Sequence, residues 1–263
     1  MQTKIILDSI YDNTRLTTFQ LTYPRFIHGE LMTHRVFSRN ASSSRAVPVK
    51  RMIKDVWRNP AEPVEWGANN AGMQSKSLLS PFKAWLVRQL WLKSRYPVLA
   101  CAWSMMKLNA HKQIINRLLE PYSFISVVLT ATDFDNFFLL RCHEDADPTI
   151  RALALRMHDL YEANKPVERT EHLPYLRGNE LYDPDRFKIS AARCARVSYL
   201  KHDGTNPSRE DDLKLYERLM GSEIKHASPA EHQAFIGDDY IHSNLKAPWI
   251  QFRKLVENKA PIT

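Results

Sequence analysis

Between Thr33 and Arg45 the chain reads Thr-His-Arg-Val-Phe-Ser-Arg-Asn-Ala-Ser-Ser-Ser-Arg, which sets three arginines, a histidine, an asparagine and four serines within thirteen residues. Side chains of these types hold oxyanions. Guanidinium forks bind phosphate in a bidentate way, and serine hydroxyls and loop amides complete the shell. Apolar residues at Phe26, Ile27, Leu31 and Met32 run into the segment from Pro24, so the spacing predicts a helix that ends where the basic loop begins. A solvated basic loop has the same composition, and from the residues alone both readings stay open.

Three further stretches stand out. They are Asn116-Arg117-Leu118-Leu119-Glu120-Pro121-Tyr122, then Asp135-Asn136-Phe137-Phe138-Leu139-Leu140-Arg141, then Cys194-Ala195-Arg196-Val197-Ser198-Tyr199 with His226-Ala227-Ser228-Pro229-Ala230-Glu231-His232. Taken singly, Arg117 and Arg141 read as interhelical ion-pair partners, and Glu231 and His232 as the cap of a turn.

Taken together, the stretches resemble the signature of the flavin-dependent thymidylate synthases. There, Arg-His-Arg precedes a spaced Ser and Ser-x-Arg, matched by His34, Arg35, Ser38, Ser43 and Arg45. The other pieces resemble the family's Arg-x-x-x-Pro, its Asn-Phe-x-x-Leu-Arg, and its Ala-Arg-Val-Ser with His-x-Ser-Pro-x-Glu-His. Thr33 stands in place of the first arginine, Ala41 in place of an acid or amide, and Ala46 in place of an aromatic. Thr130 and Thr132 fall where the family has Asn-x-Arg, with Arg39, Lys50 and Arg51 as the nearby cations that can substitute. The order also differs: the Ala-Arg-Val-Ser and His-x-Ser-Pro pieces come last rather than first, as in a circularly permuted chain.

The resemblance implies an α+β fold, an antiparallel sheet packed with several helices. It implies transfer of a one-carbon group to C5 of a pyrimidine deoxynucleotide, dUMP to dTMP. Methylene-tetrahydrofolate would be the carbon donor, reduced FAD the hydride donor and NADPH the reductant. Arg141 and Ser43 would be the catalytic residues. Glu30, Ser43, Ser44, Arg45, Arg117 and Arg141 would bind the nucleotide. His34, Arg35, Val36, Ser38, Asn136, Ser198, His226, Ser228 and Glu231 would bind the cofactors. The family is similar in forming homotetramers that share sites between subunits. A variant acting on dCMP, or making a hydroxymethyl product, would keep the flavin and folate contacts, and a basic nucleic-acid-binding protein is the competing class.

Bulk properties set bounds. A net charge of +8 and a pI near 9.4 suit an anionic partner. Seven glycines, with no GxGxxG and no GxxxxGK[ST], exclude a glycine-rich phosphate cradle. Cys101, Cys142 and Cys194 give neither a disulfide framework nor a metal knuckle, and no metal is expected. No apolar run reaches the length of a membrane span and no signal peptide opens the chain, so a cytoplasmic protein is expected.

The elements that must position these residues follow from pattern. Lys4–Leu7 and Thr17–Leu21 read as strands, and residues 49–80 as an irregular, turn-rich region. Pro81–Arg95, Val98–Leu119 and Pro148–Ala163 have helical spacing. Ser123–Thr130 is a strand or the close of a helix, Asp133 an N-cap, Ser208 with Asp211 a capping box for a helix ending near Gly221, and His232–Ile241 an extended segment. One domain is expected. Residues 1–164 would hold the arginine-histidine motif and nucleotide-binding part, 165–189 a linker between former chain ends, and 190–263 the flavin contacts.

Overall fold

The computed structural model describes residues 1–72, 74–75, 77–197, 205–237 and 244–257. β1 (Gln2–Tyr11) and β2 (Thr14–Pro24) form an antiparallel hairpin, longer at both ends than the strands predicted from sequence. Its turn residues Asp12 and Asn13 have φ of 45° and 59°, the left-handed pair of a type I′ turn that Asp and Asn tolerate. α1 (His28–Met32) follows through a helical turn at 25–27, and β3 (Ser38–Ala41) carries the middle of the arginine-serine segment.

α2 (Val49–Arg58) lies inside the region expected to be irregular, because Met52, Ile53 and Val56 recur at helical spacing behind Pro48. α3 (Pro81–Lys107) continues without interruption past Pro97, where a break was predicted. The break falls instead at Asn109, which takes φ 60°. Its N–H bonds the Met106 carbonyl, and that of Ala110 bonds the Met105 carbonyl, a Schellman closure. α4 (Lys112–Leu119) restarts with the His111 side chain as its cap. α2, α3 and α4 pack around Met52, Val56, Leu99, Ala102, Ile115 and Leu119.

β4 (Phe124–Ala131) resolves the strand-or-helix ambiguity at 123–130 in favour of a strand, since it pairs on both sides with β2 and β3. α5 (Asp135–Arg141) and α6 (Pro148–Ala163) come next; Asp133 accepts from the Asp135 N–H, and Asp147 caps α6 through the N–H groups of Thr149 and Ile150. β5 (Val167–Glu168) and β6 (Glu171–His172) lie in the segment expected as a linker, which also buries His172, Leu173 and Tyr175. α7 (Arg186–Arg196), α8 (Arg209–Met220) with its Ser208–Asp211 capping box, β7 (Ala234–Ile236), β8 (Trp249–Gln251) and α9 (Phe252–Glu257) complete the order.

The main sheet has the order β3-β4-β2-β1-β5, antiparallel except for the short β1–β5 pair, and a second sheet has the order β6-β7-β8. The architecture is α+β. Alternation along the strands sorts the two faces. Phe19, Leu21, Tyr23, Val127, Leu129 and Ala131 point to a core closed by α1, α5 and α6. Val128 and its polar neighbours Thr18, Gln20 and Thr130 take the other face, under Tyr175, Cys194 and Val197. α7 and β7 therefore pack on the main sheet rather than apart from it, through Cys194, Val197 and Ala234. Among the described residues, no helix is long and apolar enough to cross a membrane.

The second face holds a continuous buried polar chain. Ser9 Oγ lies 2.8 Å from His172 Nδ1, His172 Nε2 2.7 Å from Thr18 Oγ1, Thr18 2.7 Å from Thr130 Oγ1, and Thr130 2.9 Å from His232 Nδ1. Both histidines are fully buried, and desolvation lowers each from 6.5 to about 3. The unfolded chain takes up protons on both as pH falls below about 6.5, while the fold keeps them neutral. Their stability contribution is therefore complete above that pH and declines as acid is added, by about 1.4 kcal/mol per pH unit for each. Urea midpoints should fall steadily from about pH 7 to about pH 5, before ordinary carboxylates titrate. A flat midpoint across that window would refute the buried neutral pair.

Candidate functional site

β3 is a short strand with a different motif at each end, and the site is built along it. At its start, the α1 turn delivers Glu30, Thr33 and His34 to one spot, and α5 brings in Arg141 from 107 positions beyond His34. Arg141 Nε donates to His34 Nε2 at 3.0 Å, Nη1 to Glu30 at 3.3 Å, and Nη2 to Thr33 Oγ1 at 3.2 Å. A guanidinium has five N–H groups, so one on each Nη is left over from these three partners. Nε2 of His34 accepts, which leaves its ring proton on Nδ1. Burial, then Arg141 and Arg39, hold the His34 pKa below its ordinary value, so the ring is a neutral acceptor. The ring stacks on Phe37 and meets the edge of Phe137, which fixes its plane.

Glu30 is pushed upward by burial and by Asp147, against the pull of Arg141. Thr33, the departure from the Arg-His-Arg pattern, is thus part of the clamp on Arg141. Arg39 Nη1 donates to the Met32 and His34 carbonyls at 3.0 and 3.1 Å, tying down the same turn.

From its other face β3 meets the C-terminal motif. Asn40 donates to the Cys194 carbonyl at 2.8 Å, and Ser228 Oγ lies 3.4 Å from Asn40 Oδ1. Ser38 is fully buried; its Oγ accepts from Gln251 Nε2 at 2.7 Å, and Gln251 also binds the Glu231 carbonyl at 3.0 Å. The Ser38 hydroxyl therefore braces the strand. Glu231 forms an ion pair with Arg253. Val197, at the end of α7, is a β-branched residue at φ 57°, strained backbone beside the same segment. Ser198 lies outside the described residues.

At the far end of β3, Ser43 and Arg45 are exposed while Ser44 is buried, its Oγ donating to Glu120 at 2.6 Å. Asn116 donates to the carbonyls of Ser44 and Val47, which seats Arg117 beside this turn. Arg35, Arg45 and Arg117 are exposed, with no side-chain partner among the described residues. Val36, Asn136, His226 and Ser228 are exposed as well. The structure thus joins His34, Glu30 and Arg141, and separately ties Ser228 to Asn40 and Glu231, through Gln251, to Ser38 on β3. It leaves Ser43, Arg45 and Arg117 across the length of β3, roughly 13 Å at about 3.3 Å per residue. Lys50 and Arg51 sit on α2, and Arg51 pairs with Asp55 at 3.8 Å.

Thr130 and Thr132, at the Asn-x-Arg position, are turned to internal bonds: Thr130 joins the buried histidine chain, and Thr132 Oγ1 accepts from the Lys246 N–H at 2.9 Å. Sequence reasoning gave no role to Arg25, Gln251 or Arg253. Among the described residues, no three His, Cys, Asp or Glu side chains are grouped to hold a metal ion.

No protein-family model matches the chain, and no curated protein does. Among solved structures it is similar to a UMP/dUMP methylase, PolB from Streptomyces cacaoi, bound with 5-Br UMP. That pair is 14% identical over 61% of this chain and 88% of the other, with a TM-score of 0.49. A second structure of that methylase, bound with 5-Br dUMP, is 16% identical over 56% of this chain and 65% of the other, with a TM-score of 0.44. At these values the likeness is partial, and the reading of the site rests on its own residues.

Proposed function

We propose that this chain transfers a one-carbon group to C5 of a pyrimidine nucleotide, with dUMP as acceptor, methylene-tetrahydrofolate as donor, and FAD and NADPH supplying the reducing equivalents. The observation that carries the reading is the Arg141 clamp. Two stretches resembling one family's signature, 107 residues apart, meet through a 3.0 Å bond between Arg141 and His34. Chance likeness at scattered positions gives no reason for the two to converge. The second and fourth stretches reach the same arginine-serine segment, at Ser44 and at Asn40 respectively, whatever their order in the chain, which supports reading the order as a permutation.

Arg141 would hold the pyrimidine carbonyls and stabilise negative charge as it develops on the ring. Neutral His34, Thr33 and Glu30 fix the guanidinium so that it need not reorganise. With Thr33 and Thr132 in place of family arginines and Thr130 in place of an asparagine, the flavin diphosphate would rely on Arg35, Asn136 and Ser228, whose exposed donors suit it. FAD, when bound, supplies the hydride that completes a methyl group. Ser43, Arg45 and Arg117 would bind the nucleotide phosphate. Because β3 separates them from Arg141, a second copy of the chain would complete each site. The first half of α3 supports assembly: Phe82, Trp85, Leu86 and Leu90 are large apolar side chains left exposed on one helix.

The test is anaerobic turnover with FAD, NADPH and methylene-tetrahydrofolate, offering dUMP, dCMP and UMP in parallel and identifying products by mass. A methylated dUMP is the expected product. A hydroxymethylated or dCMP-derived product would revise the acceptor or the final step. Absence of any product, together with absence of flavin binding, would move the nucleic-acid reading ahead.

A further inference from the structure

A cavity of about 400 Å³ lies between α2 and the end of the main sheet, and a second of about 470 Å³ shares Met1, Asn59 and Phe124 with it as walls. Neither is lined by Arg141, His34, Ser43, Arg45 or Arg117. The first is within the range of small-molecule pockets, about 300–1,000 Å³. Its apolar wall comes from Val47, Met52, Val56 and Phe124, and Arg25 stands among them.

Arg25 is poorly satisfied for a cation with five donors. Nη2 donates to the Ser42 carbonyl at 3.1 Å, and Nη1 stands 3.6 Å from Glu120 Oε1, an ion pair too long for a hydrogen bond. Glu120 is already engaged, accepting from Ser44 Oγ at 2.6 Å. Nε is buried with no partner among the described residues. A partly desolvated guanidinium with donors to spare, in the wall of a cavity with one apolar side, is the arrangement that receives an acid with an apolar body; Arg58, also in the wall, adds positive charge. Asp55, also in the wall and held only loosely by Arg51 at 3.8 Å, disfavours a dianion.

We propose that this cavity binds a small monocarboxylate with an apolar body, its carboxylate on Arg25 and its body against Val47, Met52 and Val56. The site is separate from the one proposed for the nucleotide; of the residues assigned there, only Ser44 is shared, and its hydroxyl is already spent on Glu120.

The experiment is calorimetric titration of the full chain with 3-phenylpropionate and with its neutral analogue 3-phenylpropanol. The acid should bind at least about tenfold more tightly, as a charge-assisted pair requires. Arg25→Gln should erase that preference. Because a variant at a half-buried arginine can fail to fold, Asn59→Trp is tested beside it. Asn59 is exposed in the wall common to both cavities, so the indole plugs the entrance without entering the core. Asn59→Trp should weaken the acid at least about tenfold with an unchanged melting temperature. Equal affinity for acid and alcohol, no binding of the acid at millimolar concentration, or an unaffected Asn59→Trp variant would each overturn the proposal.

Discussion

Arg141→Ala should lower kcat for the pyrimidine nucleotide by about 10²–10³-fold, the loss that follows removal of one preorganised donor to developing charge. The protein should stay folded. Arg141 is partly exposed and ends a helix whose core contacts are Phe137 and Phe138, so truncating its side chain removes no packing from the interior. Arg141→Lys keeps the charge but loses Nε and the fork, and with them the bonds to His34 and Thr33. It should therefore recover little. Thr33→Val and His34→Phe act only by loosening the clamp and should cost less, roughly tenfold each, mainly in kcat. A structural role for Arg141 would instead show as a lowered melting temperature with kcat nearly unchanged per folded molecule. Retention of more than a tenth of wild-type kcat by Arg141→Ala would remove Arg141 from the mechanism.

Local signals in this sequence gave most of the helices and the strand core. Where they failed, the cause is specific. Pro97 reads as a helix breaker, yet α3 is largely exposed there, so its ring displaces solvent and only one backbone bond is lost. The real stop, Asn109 in the left-handed region, is a single residue with no glycine to announce it. The linker reading of 165–189 relied on prolines and charges, but β6 and Tyr175 take their burial from strands far away in sequence. No local pattern reports such pairing.

The site was legible as a set of stretches and illegible as a geometry. Sequence spacing placed Arg141 near His34 only through resemblance, since nothing within residues 135–141 names a partner in residues 30–34. Ser38 and Ser44 look the same in sequence as Ser43, but the fold buries the first two and assigns their hydroxyls to Gln251 and Glu120. Hydroxyl count overstates ligand capacity wherever a strand alternates between a buried and an open side. Arg196, part of the Ala-Arg-Val-Ser stretch, is similarly spent on Asp212.

That last pair carries the largest stability effect expected here. Asp212, on α8, is fully buried, and its two oxygens accept from Arg193 Nε at 3.0 Å and from Arg196 Nη1, both on α7. Arg193 continues the network to Glu180 at 2.7 and 2.5 Å and to the Tyr175 carbonyl at 2.8 Å. Asp212→Ala leaves two buried guanidinium groups short of a partner, which costs about 3–5 kcal/mol. In a chain of this size that is roughly 5–10 °C of melting temperature. Asp212→Asn keeps the acceptor oxygen and the shape and should recover part of the loss. A double-mutant cycle with Arg196→Met separates the pair from its surroundings. The variant also reaches the site, because α7 presents the Cys194 carbonyl to Asn40 on β3. Under the proposed assignment, flavin affinity should weaken while affinity for a nucleotide phosphate, which Ser43, Arg45 and Arg117 would hold at the other end of β3, stays level. A loss below about 1 kcal/mol would mean that water replaces the carboxylate and that α7 is held by its apolar face alone.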